Sequence, residues 1–162
     1  MDEPDWTSYT EFEIDSDAIG NDQASQWHLT WKRELSNDDY TGTYCILTER
    51  KISRLLGQSR VIRIGQGIVG DRISCYVDAS EHKREPLVQH VIRSLVDSPS
   101  AYGKITVRYV PLSKEDAIKE EKRLLLEFLV DHLELPPMNF RKEQGKDVLN
   151  EQFPVTPTTS ME

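Results

Sequence analysis

Apolar and polar residues alternate along this chain in two rhythms, and the switch between them divides it into elements. Trp27, Leu29 and Trp31 alternate with His28, Thr30 and Lys32, the period of a half-buried strand continuing toward Leu35. Asn37-Asp38-Asp39 turns the chain. A second strand is expected from about Gly42 to Thr48, then an inserted loop or short helical turn over Lys51 to Gln58, then a strand from Ser59 to Ile64. Three consecutive strands predict an antiparallel meander with Tyr44 and Arg63 on neighbouring strands. Ile105, Val107 and Tyr109 repeat the two-residue period within Lys104 to Leu112 and give a fourth strand.

Helical spacing takes over elsewhere. Asp71 to Asp78 reads as a short helix, and Pro86 to Val96, with Leu87, Val91 and Leu95 on one face, as a longer one closed by Pro99. The longest is expected from Lys114 to about Glu134, opened by a capping-box signature at Ser113 and Asp116 and stopped by Pro136-Pro137. The predicted class is α+β, a small antiparallel sheet of three or four strands flanked by helices. If Ile118 marks the centre of that long helix's buried face, Leu125 and Leu129 lie within about 20° of it and Glu127 about 180° away. Glu127 then reads either as a solvated residue or, because Leu124 and Val130 widen the apolar arc, as a residue on a narrow polar stripe lining a cleft.

Charge is distributed unevenly. Residues 1–26 contain eight acids and no Lys or Arg, which leaves 20 acids against 20 bases in the remainder. That stretch is read as an acidic disordered tail, with Trp6 and Tyr9 allowing part of it to dock on the body. Residues 27–142 form the expected domain, and 143–162, polar with Pro154 and Pro157, a second disordered tail. From Arg50 to Arg72 the chain places Arg50, Lys51, Arg54, Arg60, Arg63 and Arg72 against Asp71 alone, the composition of a local basic face for nucleic acid. Cys45 and Cys75 lack metal spacing and are expected as reduced thiols in an intracellular protein, and no segment is apolar enough to suggest a membrane span. His28, His82, His90 and His132 have no mutual ligand spacing.

Gly65-Gln66-Gly67-Ile68-Val69-Gly70 spells G-x-G-x-x-G between a strand and a helix, the pattern of a dinucleotide-binding turn. That fingerprint requires a return to a second parallel strand ending in an acid, and Glu81 to Leu95 reads as a helix instead.

A different reading takes in more of the chain. Gly42-Thr43-Tyr44, then Arg63-Ile64-Gly65, Arg72, Tyr76 one helical turn later, Glu127 and Asn139 follow in an order that resembles the GIY-YIG endonuclease family over about residues 40–141. Leu124-Leu125-Leu126-Glu127 through Pro136-Pro137-Met138-Asn139 looks very like the family's last motif, and Arg63 stands where the second motif normally carries tyrosine. The resemblance implies a small α+β nuclease domain that cleaves DNA with Mg²⁺. Tyr44, Arg63, Arg72, Tyr76, Glu127 and Asn139 would be its catalytic residues and Glu127 its metal ligand. Arg50, Lys51, Arg54 and Arg60 would contact nucleic acid, and a homodimer or a protein partner would supply specificity. A tyrosine near pKa 10 is a poor base at neutral pH, and Arg63 is the cation expected to lower that of Tyr44 by roughly 1–3 units. The alternative is a nuclease-like domain without turnover that binds nucleic acid or protein.

Overall fold

The computed structural model describes residues 9–14, 40–77, 94 and 99–139. Four antiparallel strands make one sheet, β1 (Thr10–Ile14), β2 (Thr41–Ser53), β3 (Gln58–Ile68) and β4 (Ile105–Pro111), in the spatial order β1-β4-β2-β3. Helix α1 (Val69–Val77) follows β3, the short α2 (Pro99–Tyr102) precedes β4, and α3 (Lys114–His132) follows it. This is the α+β class expected, with an antiparallel sheet and flanking helices. The expected strand at Trp27 to Leu35 and most of the helix at Pro86 to Val96 fall outside the described residues.

Three boundaries differ from expectation. Strand β2 runs on to Ser53 and β3 begins at Gln58, so the segment read as a loop is a hairpin. Strand β3 continues to Ile68, so Gly65 and Gly67 lie inside a strand and not at its exit. And Thr10–Ile14, within the stretch read as a disordered tail, pairs with β4. Its acids explain the disagreement. Glu11 and Glu13 alternate with Phe12 and Ile14, and the charges that suggested disorder are paired with Arg108 and Lys104. Ile14 is buried and Phe12 packs edge-on against Tyr109.

The sheet is covered on both faces. On one, Cys45, Leu47, Val61 and Ile64 pack against Leu124, Leu125 and Phe128 of α3. On the other, Tyr44, Ile46 and Ile62 pack against Val69, Ile73 and Tyr76 of α1 and against Met138. Helix α3 starts where expected: the Ser113 hydroxyl accepts from the Asp116 amide at 3.1 Å. It ends at Leu133, held in the left-handed region at φ 56°.

Beyond α3 the chain rounds the exposed edge of β3. The Met138 amide donates to the Ile62 carbonyl at 2.9 Å. The Asn139 side chain then accepts from the Ile64 amide at 3.0 Å and donates to the Ile64 carbonyl at 2.8 Å. One amide group therefore does what a fifth strand would do at that position, satisfying both backbone groups of an otherwise open edge. Among the described residues no helix is long and apolar enough to cross a membrane.

Candidate functional site

The site is built around an irregularity in the β2/β3 ladder. Tyr44 faces Gly65 and Ile46 faces Arg63, but Leu47 faces Val61, so Ile62 is an extra residue in β3. A strand turns its side chains over every second residue, and one inserted residue reverses the parity of everything beyond it. In the regular register Arg63 would oppose Cys45 and point under α3. The bulge brings it instead to the face of Tyr44, where it is buried with its guanidinium 5.0 Å over the Tyr76 ring and donating to the Met138 carbonyl.

Tyr44 and Tyr76 meet across the same face with their hydroxyls 2.7 Å apart, both enclosed. Tyr76 gets there because Val69, Ile73 and Tyr76 share one side of α1; Arg72, about 40° round the helix from Tyr76, is exposed. Room for Tyr44 comes from Gly65. A Cβ at that position would stand 2.4 Å from the Tyr44 hydroxyl oxygen and 2.5 Å from Cζ, so any other residue collides with the ring. Gly67 has φ 129°, and Arg72 folds back over it so that a Cβ there would lie 3.0 Å from Nε.

Helix α3 supplies a carboxylate, and it is Glu121. The buried face of α3 contains Ala117, Leu124, Leu125 and Phe128. At about 100° per residue, Ala117, Leu124 and Phe128 fall within about 40° of one another, and Glu121 falls between them and Leu125. The Thr43 hydroxyl donates to the Ala117 carbonyl at 3.0 Å in a buried contact and so fixes the rotation of α3 one turn before Glu121. Burial pushes the Glu121 carboxyl up to about 6, against the opposing pull of Arg63 first and Arg72 second. The same two guanidinium groups act on Tyr44. Glu121 is on the helix that covers one face of the sheet and Tyr44, Tyr76 and Arg63 are on the other, and what links them is the charge of Arg63 and Arg72, which acts on both Glu121 and Tyr44.

Glu127, the metal ligand that the resemblance implies, is elsewhere on α3. It lies six residues and about 9 Å further along α3 than Glu121, turned about 120° away. There it forms an i,i+4 ion pair with Arg123, itself held on Glu120 by bonds of 2.8 and 2.7 Å. The carboxylate of Glu127 is engaged by Arg123 in an exposed pair. Taking Ile118 as the centre of the helix's inner face displaced the expected arc by about 80°.

The expected lowering of Tyr44 is also corrected. Enclosure of the ring raises its hydroxyl pKa above 10, and Arg63, the Tyr76 hydrogen bond and Arg72 act in the opposite direction without overcoming it. Tyr44 is therefore protonated at neutral pH and does not act as a base. Asn139 holds the backbone of Ile64, between Arg63 and Gly65.

The residues expected to contact nucleic acid do not form one face with the site. Arg54 is half-buried with its side chain enclosed, the guanidinium 5.7 Å over the Phe128 ring, donating to the Val61 carbonyl at 2.7 Å and 3.9 Å from Glu134. Arg50 and Lys51 are exposed near the hairpin end of β2, and Arg50 donates to the Ser100 carbonyl. Arg60 sits opposite that end of β2 and is half-buried. Six residues of strand, roughly 20 Å, separate Arg50 from Tyr44.

Compared with family models, curated proteins and solved structures, the chain matches none.

Proposed function

We propose that the described domain is a GIY-YIG-like nuclease that hydrolyses phosphodiester bonds in DNA with Mg²⁺. The observation that carries the reading is the convergence of Tyr44, Tyr76 and Arg63 on one side of the sheet, with Arg72 and Glu121 coupled to them through charge. Residue types suited to phosphate and water chemistry meet here at the cost of burying two hydroxyls and a guanidinium. Core packing alone is served better by apolar groups.

Each residue has a task that its surroundings allow. Arg72, exposed and held across Gly67, binds the non-bridging phosphate oxygens through its planar fork. Arg63 adds fixed positive charge from inside the fold and orients the Tyr76 ring. Tyr44 and Tyr76, joined through their hydroxyls, steady the oxygen on which charge develops. Glu121, the carboxylate of α3 on which both Arg63 and Arg72 act, is the group available to hold a cation.

A single carboxylate suits a hard cation that keeps most of its waters, so Glu121 is the residue that would hold Mg²⁺. Bound there, the ion supplies charge neutralisation at the phosphoryl group. Among the described residues no group of three or more His, Cys, Asp and Glu side chains is gathered.

The complete enclosure of Tyr44 and the use of Arg63 to bond the Met138 carbonyl support the second reading. In it the same constellation is a folding relic in a domain that binds nucleic acid or protein without turnover. Incubating supercoiled and linear DNA with the protein and Mg²⁺ separates the two. Cleavage that is lost in Arg72→Ala and Glu121→Gln supports the nuclease, and DNA binding without cleavage supports the relic.

A further inference from the structure

Strand β3 closes the sheet on one side, so among the described residues every second residue of it turns its main-chain groups away from β2. Asn139 shows which residues these are. Its side chain accepts from the Ile64 N–H and donates to the Ile64 carbonyl, so Ile64 faces outward. From Ile64 to Ile68 the register with β2 runs without a shift, through Gly65 opposite Tyr44, Gln66 opposite Thr43 and Gly67 opposite Gly42. Outward and inward residues therefore alternate there. Gly65 bonds across to β2, and Gln66 directs its N–H and C=O out of the sheet. It is the first outward residue beyond the Asn139 brace, about 7 Å along the strand from Ile64.

The surroundings of that N–H suit an anion. Both neighbours of Gln66 in β3 are glycines, so no β3 side chain beside it stands on the Tyr44 face. Arg72 is exposed and lies against Gly67, where a Cβ would stand 3.0 Å from its Nε. Arg63 donates to the carbonyl of Met138, whose own amide bonds Ile62, and this brings a second guanidinium charge to the same edge. A fixed main-chain donor flanked by guanidinium groups is matched to the oxygens of a phosphate.

We infer that the Gln66 N–H, on the open stretch of the β3 edge between the Asn139 brace and Arg72, donates to a non-bridging oxygen of a phosphodiester group whose other oxygen Arg72 holds. The inference deepens the nuclease reading and rests on it for the identity of the ligand. The ladder on either side holds this donor in place, so it meets the phosphate without reorganising. Its residue type carries no sign of the role, because the donor is main chain.

Hydrogen exchange and ligand titration of the full chain, followed by proton–nitrogen NMR, test it without requiring turnover. The Gln66 amide should exchange about 100-fold faster than that of Gly65, which the ladder protects. Inorganic phosphate, and separately a thymidine dinucleotide, should move the Gln66 amide proton downfield, saturably and further than any other in β3. Arg72→Ala should weaken that binding by about tenfold or more. Gln66→Pro removes the N–H at an outward edge position, where a strand tolerates proline. It should keep the far-ultraviolet spectrum and lower DNA nicking by about 100-fold. A protected Gln66 amide, or a Gln66 signal that neither ligand moves, overturns the proposal. Nicking by Gln66→Pro at the wild-type rate overturns it too and leaves the nuclease reading standing. Saturable movement of the Gln66 signal in a protein that never nicks DNA supports the phosphate site and removes the nuclease reading.

Discussion

Glu121 gives the most demanding prediction, because a residue kept for chemistry should cost the fold something. Its carboxyl is raised from 4.5 to about 6. That difference of about 1.5 units corresponds to at most about 2 kcal/mol. The sign follows from proton binding. Between about pH 4.5 and 6 the native state holds this proton more often than the unfolded chain does, so stability falls as pH rises through that window. Above it, the full penalty of a half-buried carboxylate is present. Glu121→Gln carries no such charge at any pH. Urea unfolding should therefore find the variant more stable than wild type by up to about 2 kcal/mol at pH 7.5, with the gap closing toward zero at pH 4. Equal stabilities at pH 7.5, or a gap that is the same at both values, would refute the argument that burial strains this carboxylate.

Three further outcomes follow from the geometry of the site. Gly65→Ala should destabilise by at least about 2 kcal/mol, since its Cβ meets both Tyr44 Oη and Cζ inside ordinary contact distance. Adding Tyr44→Ala should cost less in that background than in wild type, as a double-mutant cycle in urea would register. Asn139→Ala leaves the amide and carbonyl of Ile64 at an unpaired edge and should cost about 2–4 kcal/mol, with the Ile64 amide exchanging hydrogen far faster by NMR. Glu127→Ala breaks only an exposed pair with Arg123 and should shift stability by less than about 1 kcal/mol, measured by thermal unfolding.

Much of the fold is legible in the sequence. The period-two run at Ile105, Val107 and Tyr109, the Ser113 cap and the Pro136-Pro137 stop each follow from local chemistry, and they locate β4 and α3 to within a few residues. What misled lies at a longer range. The inner face of α3 includes Ala117, too small to count as a strong apolar signal, while Ile118, more hydrophobic, stands at its margin. Centring on Ile118 promotes Glu127 and hides Glu121. Strand β1 is concealed in an acidic stretch because its glutamates find partners 91 and 97 residues away. Arg54 reads as a surface base by charge alone, yet its stem and fork are enclosed beside Phe128. The placement of Arg63 depends on a bulge, which is a property of two strands in register and has no single-strand signature.

Plasmid nicking with Mg²⁺ by wild type, Glu121→Gln and Glu127→Ala in parallel is the most direct test of the central claim, that Glu121 and the Tyr44, Arg63, Arg72 and Tyr76 group form a phosphodiester-cleaving site. Wild type and Glu127→Ala should nick at matching rates, and Glu121→Gln, folded and at least as stable, should lose activity by about 100-fold or more. Nicking by Glu121→Gln at the wild-type rate, or its loss in Glu127→Ala alone, would contradict the account.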